Sequence, residues 1–207
     1  MSGCCDGGCT VDALRERQRG TLRAVLAINA VMFVVIVAAA WFGDSTALLA
    51  DSLDNLGDAL TYGLSLYAVA RDGATKARVA LFKGGLIFIG ASVVAAQIVY
   101  RLLSPTTPVF EIMGVFSVFG LTANGLCLYL LWRHRDDDIN MRSVWECSRN
   151  DIVSNIAVFV AALLVWASAS HWPDIVVATL LTLFLYRSAV GVISAARAEL
   201  AAAKSAT

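Results

Sequence analysis

Apolar residues in this chain fall into six runs, each close to the ~20 residues that a helix needs to cross hydrocarbon. The first, RAVLAINAVMFVVIVAAAWFG, covers about residues 23 to 43, and a second runs from about 46 to 70. The third, VALFKGGLIFIGASVVAAQIVYRLL, occupies about 79 to 103 before SPTTP interrupts the pattern. A fourth spans about 109 to 132 and ends at WRHRDDD, a fifth about 144 to 168, and HWPD turns the chain into a sixth at about 174 to 195. The pattern predicts an all-α membrane protein with six transmembrane helices. Fewer spans, or a seventh, fit these run lengths less well. The connections near residues 44 and 171 are so short that their flanking helices must form hairpins.

Composition agrees: 58% of residues are hydrophobic and 15% are charged, with a mean hydropathy of +0.71. Soluble domains carry about 25% charge. Sixteen basic and sixteen acidic residues cancel, so no global field favours nucleic acid, and membrane lipid is the expected surround. The start, MSGCCDGGCTVDALRERQRG, lacks the basic-then-apolar order of a signal peptide. Three parts are expected: a Cys-containing tail at 1–19, a six-helix transmembrane domain at 20–196, and a short tail at 197–207 with no room for a core of its own.

Charge orients the chain. Arg15, Arg17, Arg19 and Arg23 precede the first run; Arg71, Lys76, Arg78 and Lys83 lie at or just beyond the second connection; Arg133, Arg135 and Arg142 follow the fourth run. The connections after the first and fifth runs contain no Lys or Arg, and only Arg101 lies near the one after the third. The excess of positive charge on one side places both termini in the cytoplasm.

Against this greasy background the second run contains DSLDNLGD, in which Asp51, Asp54 and Asp58 are three and then four residues apart. That spacing puts all three on one helical stripe. An isolated ionised group at mid-membrane costs roughly 3 kcal/mol even on insertion-based scales, so the stripe must face the bundle interior, water or a cation. In the fifth run Cys147, Asp151 and Asn155 form a second stripe at four-residue intervals. If the two helices meet, Asp54, Asp58, Cys147 and Asp151 offer three carboxylates and a thiolate, a set suited to tetrahedral Zn²⁺.

Plainer readings exist. Buried amides such as Asn29, Asn124 and Asn155 can cement helix pairs, and the carboxyls could form a proton-filled polar seam. Lys83 and Arg149 are candidate counterions, although Arg149 points around the helix from the Cys147–Asp151 stripe. Cys4, Cys5 and Cys9 could capture a thiophilic ion, but lack paired zinc-module spacing. Asp136, Asp137 and Asp138 read as a solvated linker. His134 and His171 are too isolated to read as ligands.

Taken together, these stretches resemble the cation diffusion facilitator family, proton-coupled exporters of zinc and related divalent ions. Its pattern is His or Asp followed four positions later by Asp in the second span, and again in the fifth. Here the pairs are Asp54–Asp58, within LLADSLDNLGDALT, and Cys147–Asp151, with Asn155 where many members carry an Asn. Asn124 near GLCLYLL and PDIV at the sixth run are also similar, and the resemblance covers about residues 20 to 195. It implies a six-helix transporter working by alternating access, a homodimer through transmembrane helices, and a metal site at Asp54, Asp58, Cys147 and Asp151. Asp51, Asn155, Cys4, Cys5 and Cys9 are auxiliary candidates.

Two departures stand out. Cys147 replaces the usual His, which favours a softer ion, and the familiar cytosolic carboxy-terminal domain is not in this chain. The expected function is non-enzymatic: a multi-pass protein of a bacterial inner membrane exporting zinc, or a soft relative such as cadmium, against protons. The alternatives are a membrane-bound soft-metal sensor or carrier without turnover, and an organic-cation transporter with a roomier aromatic cavity.

Overall fold

The computed structural model describes residues 6–68, 73–132 and 139–205, and the side chains of 19–64, 66, 77–132 and 151–201. The described residues form six helices and no strand: α1 (Asp6–Phe42), α2 (Thr46–Ala68), α3 (Gly73–Leu103), α4 (Phe110–Trp132), α5 (Ile139–Ser168) and α6 (Trp172–Ser205). The ends facing the short turns fall within two residues of the expected places. At their other ends α1, α3, α5 and α6 continue well past the apolar runs. Hydropathy marks only the greasy part of a helix; Ala, Arg, Glu and Lys beyond it are good helix formers and carry the winding onward. Cys9 therefore lies on α1, its side chain outside those described, and Cys4 and Cys5 lie outside the described residues altogether.

Among the described residues, five helices contain stretches apolar enough to cross a bilayer: Arg19–Phe42, Ala77–Leu103, Phe110–Trp132, Asp151–Ser168 and Trp172–Ala201. The exception is α2, the helix with the three aspartates. It is also the helix with the most neighbours, packing on α1, α3, α5 and α6, while α4 packs on α1 and α5. Polarity is consequently inverted relative to a soluble bundle. Asn29, Ser52, Asn55, Asp58, Ser117, Asn124 and Asn155 are buried, while Trp41, Val34, Phe82, Leu103 and Tyr129 stand outward, Trp41 at 84% exposure. Apolar side chains turned out and amides turned in are what a lipid solvent selects.

Small residues set the helix spacing. A side chain at Gly84 of α3 would place its Cβ 2.7 Å from Ile193 Cγ1 and 3.4 Å from the Ala189 carbonyl oxygen of α6. The bare backbone thus lets these two helices approach closely, alongside Ile87, Ala91, Leu185 and Ala189.

At the end bearing the short turns, α2 is held by residues remote in sequence. Ser45 is its N-cap, its Oγ accepting the Leu48 N–H at 3.1 Å. The Asp174 carboxylate, from the first turn of α6, accepts from Ser45 Oγ at 2.6 Å, Thr46 N at 2.9 Å and Ala47 N at 3.1 Å. Donors that a helix start leaves open are thereby satisfied across the bundle. Next to it, Arg101 at the end of α3 pairs with Asp44 in the α1–α2 turn, and Thr106 donates to the same carboxylate at 2.6 Å. Asp44 adopts a left-handed φ of 55°, a conformation that Asp tolerates better than most residues.

Candidate functional site

The condition left open by the sequence is met: α2 and α5 touch. Asp58 and Asp151 share a side-chain hydrogen bond across that contact. Two carboxyl groups can join in this way only when one of them carries a proton, because two bare carboxylates have no donor. The Tyr62 hydroxyl, one turn along α2, donates to Asp58 Oδ2. Asp54 is hydrogen-bonded to Ser154 of α5 and keeps Oδ2 buried without a partner. Asp51 is fully buried, and neither of its carboxylate oxygens has a hydrogen-bond partner. All four carboxyls act on one another electrostatically through Asp54 and Asp151.

The candidate counterions are only partly placed. Lys83 of α3 donates to Thr61 Oγ1 of α2 and lies within electrostatic range of Asp58. Arg149 and Cys147 lie on α5, with side chains outside those described. Asp58 and Asp151 are joined directly, Asp54 lies within electrostatic range of both, and Cys147 is one helical turn before Asp151 in the same helix. Among the described residues, no three Cys, His, Asp or Glu side chains stand together as a ready-made metal cage.

Asn155 continues the α5 stripe. It is 1% exposed, and its Nδ2 donates to the Asp151 carbonyl at 2.8 Å. Its Oδ1 rests against Gly120 of α4, where a Cβ would come within 1.9 Å. Gly120→Ala is therefore expected to push Asn155 aside and destabilise the bundle by about 1–3 kcal/mol, as overpacking does. Thermal unfolding of Gly120→Ala, Asn155→Ala and the double variant checks this. The double variant should recover much of the loss, and simple additivity would contradict the contact.

The inward face of α4 was incompletely legible. Met113, Ser117, Gly120, Asn124, Cys127 and Leu131 are its buried residues, at helical spacing. Asn124 stood out in the sequence; Ser117 and Cys127 did not, although they lie seven residues before it and three after it, on the same helical face. Tyr62 and Ser154 were also missed, each lying on a helix already known to carry ligand candidates. A groove lies elsewhere, between α4 and α5. It has a volume of about 590 Å³ and is lined by Phe110, Val118, Phe159, Leu163 and Trp166, with no site carboxylate.

Comparison with known proteins points the same way. Residues 22–201 match the family described as the cation efflux transmembrane domain. The chain is 30% identical over 149 residues to an uncharacterized transporter of Synechocystis, sll1263, a match covering 65% of this chain and 48% of that protein. It is 23% identical over 181 residues to the zinc transporter ZitB of Yersinia pestis, covering 81% of this chain and 58% of the relative. The chain thus spans about half the length of the curated relatives it matches. With five apolar helices long enough to cross a membrane and a family match over most of its length, this chain is an integral membrane protein and belongs to the cation efflux family.

Proposed function

We propose that this protein exports a divalent cation from the cytoplasm across a bacterial inner membrane in exchange for protons, with zinc or the softer cadmium as cargo. One observation carries the reading: the Asp58 side chain of α2 and the Asp151 side chain of α5 meet inside an apolar bundle. A divalent cation arriving between them favours their ionised forms, so binding and proton release are one event. No covalent bond of the cargo changes, so the activity is transport and not catalysis.

In this reading all six helices span the membrane. The 23 residues of α2, rising about 1.5 Å each, suffice for the hydrocarbon core, and its aspartates are sheltered by four neighbouring helices. Asp54, Asp58, Cys147 and Asp151 hold the ion. Asn155 braces Asp151, and Asp51 supplies negative charge one turn away. The cysteine in place of histidine supports a softer cargo, and the relative named as a zinc transporter supports zinc. Apolar seals lie on both sides of the carboxyls. Leu22, Val25, Tyr62 and Leu131 close the end where α2 finishes, and Ile36, Leu48, Met113 and Val158 belong to the core toward its start. Alternating access opens one seal at a time. The basic connections support cytoplasmic termini, and the family resemblance supports a homodimer through membrane helices.

Reconstitution in liposomes tests the exchange. An acidic lumen is expected to drive zinc and cadmium uptake with matching loss of lumenal protons, and a protonophore should abolish the drive. Saturable binding without gradient-driven flux would instead make the protein a carrier or sensor.

A further inference from the structure

One charged side chain beside the carboxyls has no part in the cycle above: Lys83 of α3. It lies within the apolar stretch Ala77–Leu103, where an ammonium is costly and marks function more often than packing. A lysine near the end of a span can run its stem out to the headgroups. This one reaches across to α2 instead. Its Nζ donates to Thr61 Oγ1, and the Thr61 hydroxyl in turn donates to the Gly57 carbonyl at 2.7 Å. Two further contacts fix that register. A Cβ on Gly90 of α3 would lie 3.0 Å from Leu53 Cδ1, and one on Gly57 of α2 would lie 3.6 Å from Ile87 Cδ1. Leu53, Gly57 and Thr61 thus run along α2 against Gly90, Ile87 and Lys83 of the antiparallel α3. Asp58 directly follows Gly57, and the Lys83 charge acts on its carboxyl.

We propose that the Lys83 ammonium, fastened to α2 through Thr61, is a tethered counter-charge that limits how tightly the neighbouring carboxyls hold a divalent cation and so sets how fast the ion leaves. This inference rests on the exporter reading, which supplies the ion and its carboxyl ligands. Without an ion, the ammonium offsets part of the negative charge around Asp58. With an ion bound, two positive charges face each other in a poorly screened interior, and the loaded state rises in energy. Lys83 is a positioning residue: it acts through Asp58 and touches no cargo. Carboxylates and a thiolate alone would bind the ion strongly and release it slowly. The lysine lowers affinity and raises turnover. Because the cation carries two charges and each exchanged proton one, the ammonium opposes the ion most when fewer than two protons leave per ion.

Zinc alone, titrated into the full chain at about pH 8, tests this, because few protons then compete with the metal. Lys83→Gln keeps a donor for Thr61 and removes the charge, and is expected to bind zinc about tenfold more tightly. Lys83→Arg keeps the charge and should bind as the unchanged protein does. In proteoliposomes the glutamine variant should show KM and kcat both falling, each about tenfold, the signature of slow release. Loss of a merely structural lysine would lower kcat without tightening zinc. Lys83→Met, cheaper in lipid, gives the same measure if the glutamine variant does not fold. Unchanged or weaker zinc binding by a folded neutral variant overturns the proposal and leaves the exporter reading standing. An arginine variant that binds as tightly as the glutamine one overturns it too. If the unchanged chain binds zinc but moves none, the exporter reading fails, and the affinity shift alone decides the role of Lys83.

Discussion

Asp58→Asn is expected to lower zinc and cadmium flux by about a hundredfold or more, the scale set by supporting groups around metals that already matter 10–100-fold. The amide has nearly the shape of the carboxyl. It can still accept from Tyr62 and donate to Asp151, so the α2–α5 contact survives. What disappears is the charge that binds a cation and the proton exchanged for it. Burying a neutral amide is also cheaper than burying an ionisable acid. The variant should therefore melt at or above the temperature of the unchanged protein while failing to transport. Flux in proteoliposomes, paired with thermal unfolding in detergent, separates these outcomes. Asp151→Asn should behave alike, because it removes the other half of the same pair. Retention of most of the flux by either variant would remove the carboxyl pair from the transport mechanism.

The second large effect is expected far from the carboxyls. Asp174→Ala should destabilise the protein by about 3 kcal/mol or more, because it leaves two backbone N–H groups at the start of α2 and one hydroxyl without their buried acceptor. Asp174→Asn should fall between, since one amide oxygen can serve only part of that set. The cause lies in how α2 is anchored. It is the central helix, and its first turn is fastened by a carboxylate from α6 instead of by its own residues alone. Loosening that turn should also let Asp51, Asp54 and Asp58 shift along the bundle, so transport is expected to fall with stability. Thermal unfolding measures the first effect, and a melting temperature for Asp174→Ala equal to that of the unchanged protein would contradict the anchor. By contrast, Arg101 and Asp44 pair where Asp44 is 41% exposed, so breaking that bridge should matter less.

Lipid makes helices easy to read from sequence. Backbone groups must be satisfied within each segment, so an apolar run of the right length has one stable local structure. The number of helices and the hairpins near residues 44 and 171 followed from spacing alone. Helix ends beyond the bilayer did not, because hydropathy is silent once a helix enters water. The failure of α2 to look like an apolar span is itself informative: its aspartates cost too much for a lipid-facing helix, so it had to be central.

Which helix meets which is not a local property. Nothing in DSLDNLGD or SVWECSRND specifies that Asp58 and Asp151 will share a hydrogen bond; that depends on how small residues let six helices crowd together. The same holds for Asp174, more than a hundred residues from the turn it caps, and for Cys127, which reads as one more apolar residue until Asn29 is seen beside it. Periodicity determined which side of each helix must avoid lipid. Only packing decided what each of those sides would find, because partner choice among membrane helices rests on close fit and interhelical hydrogen bonds, with no hydrophobic pattern to encode it.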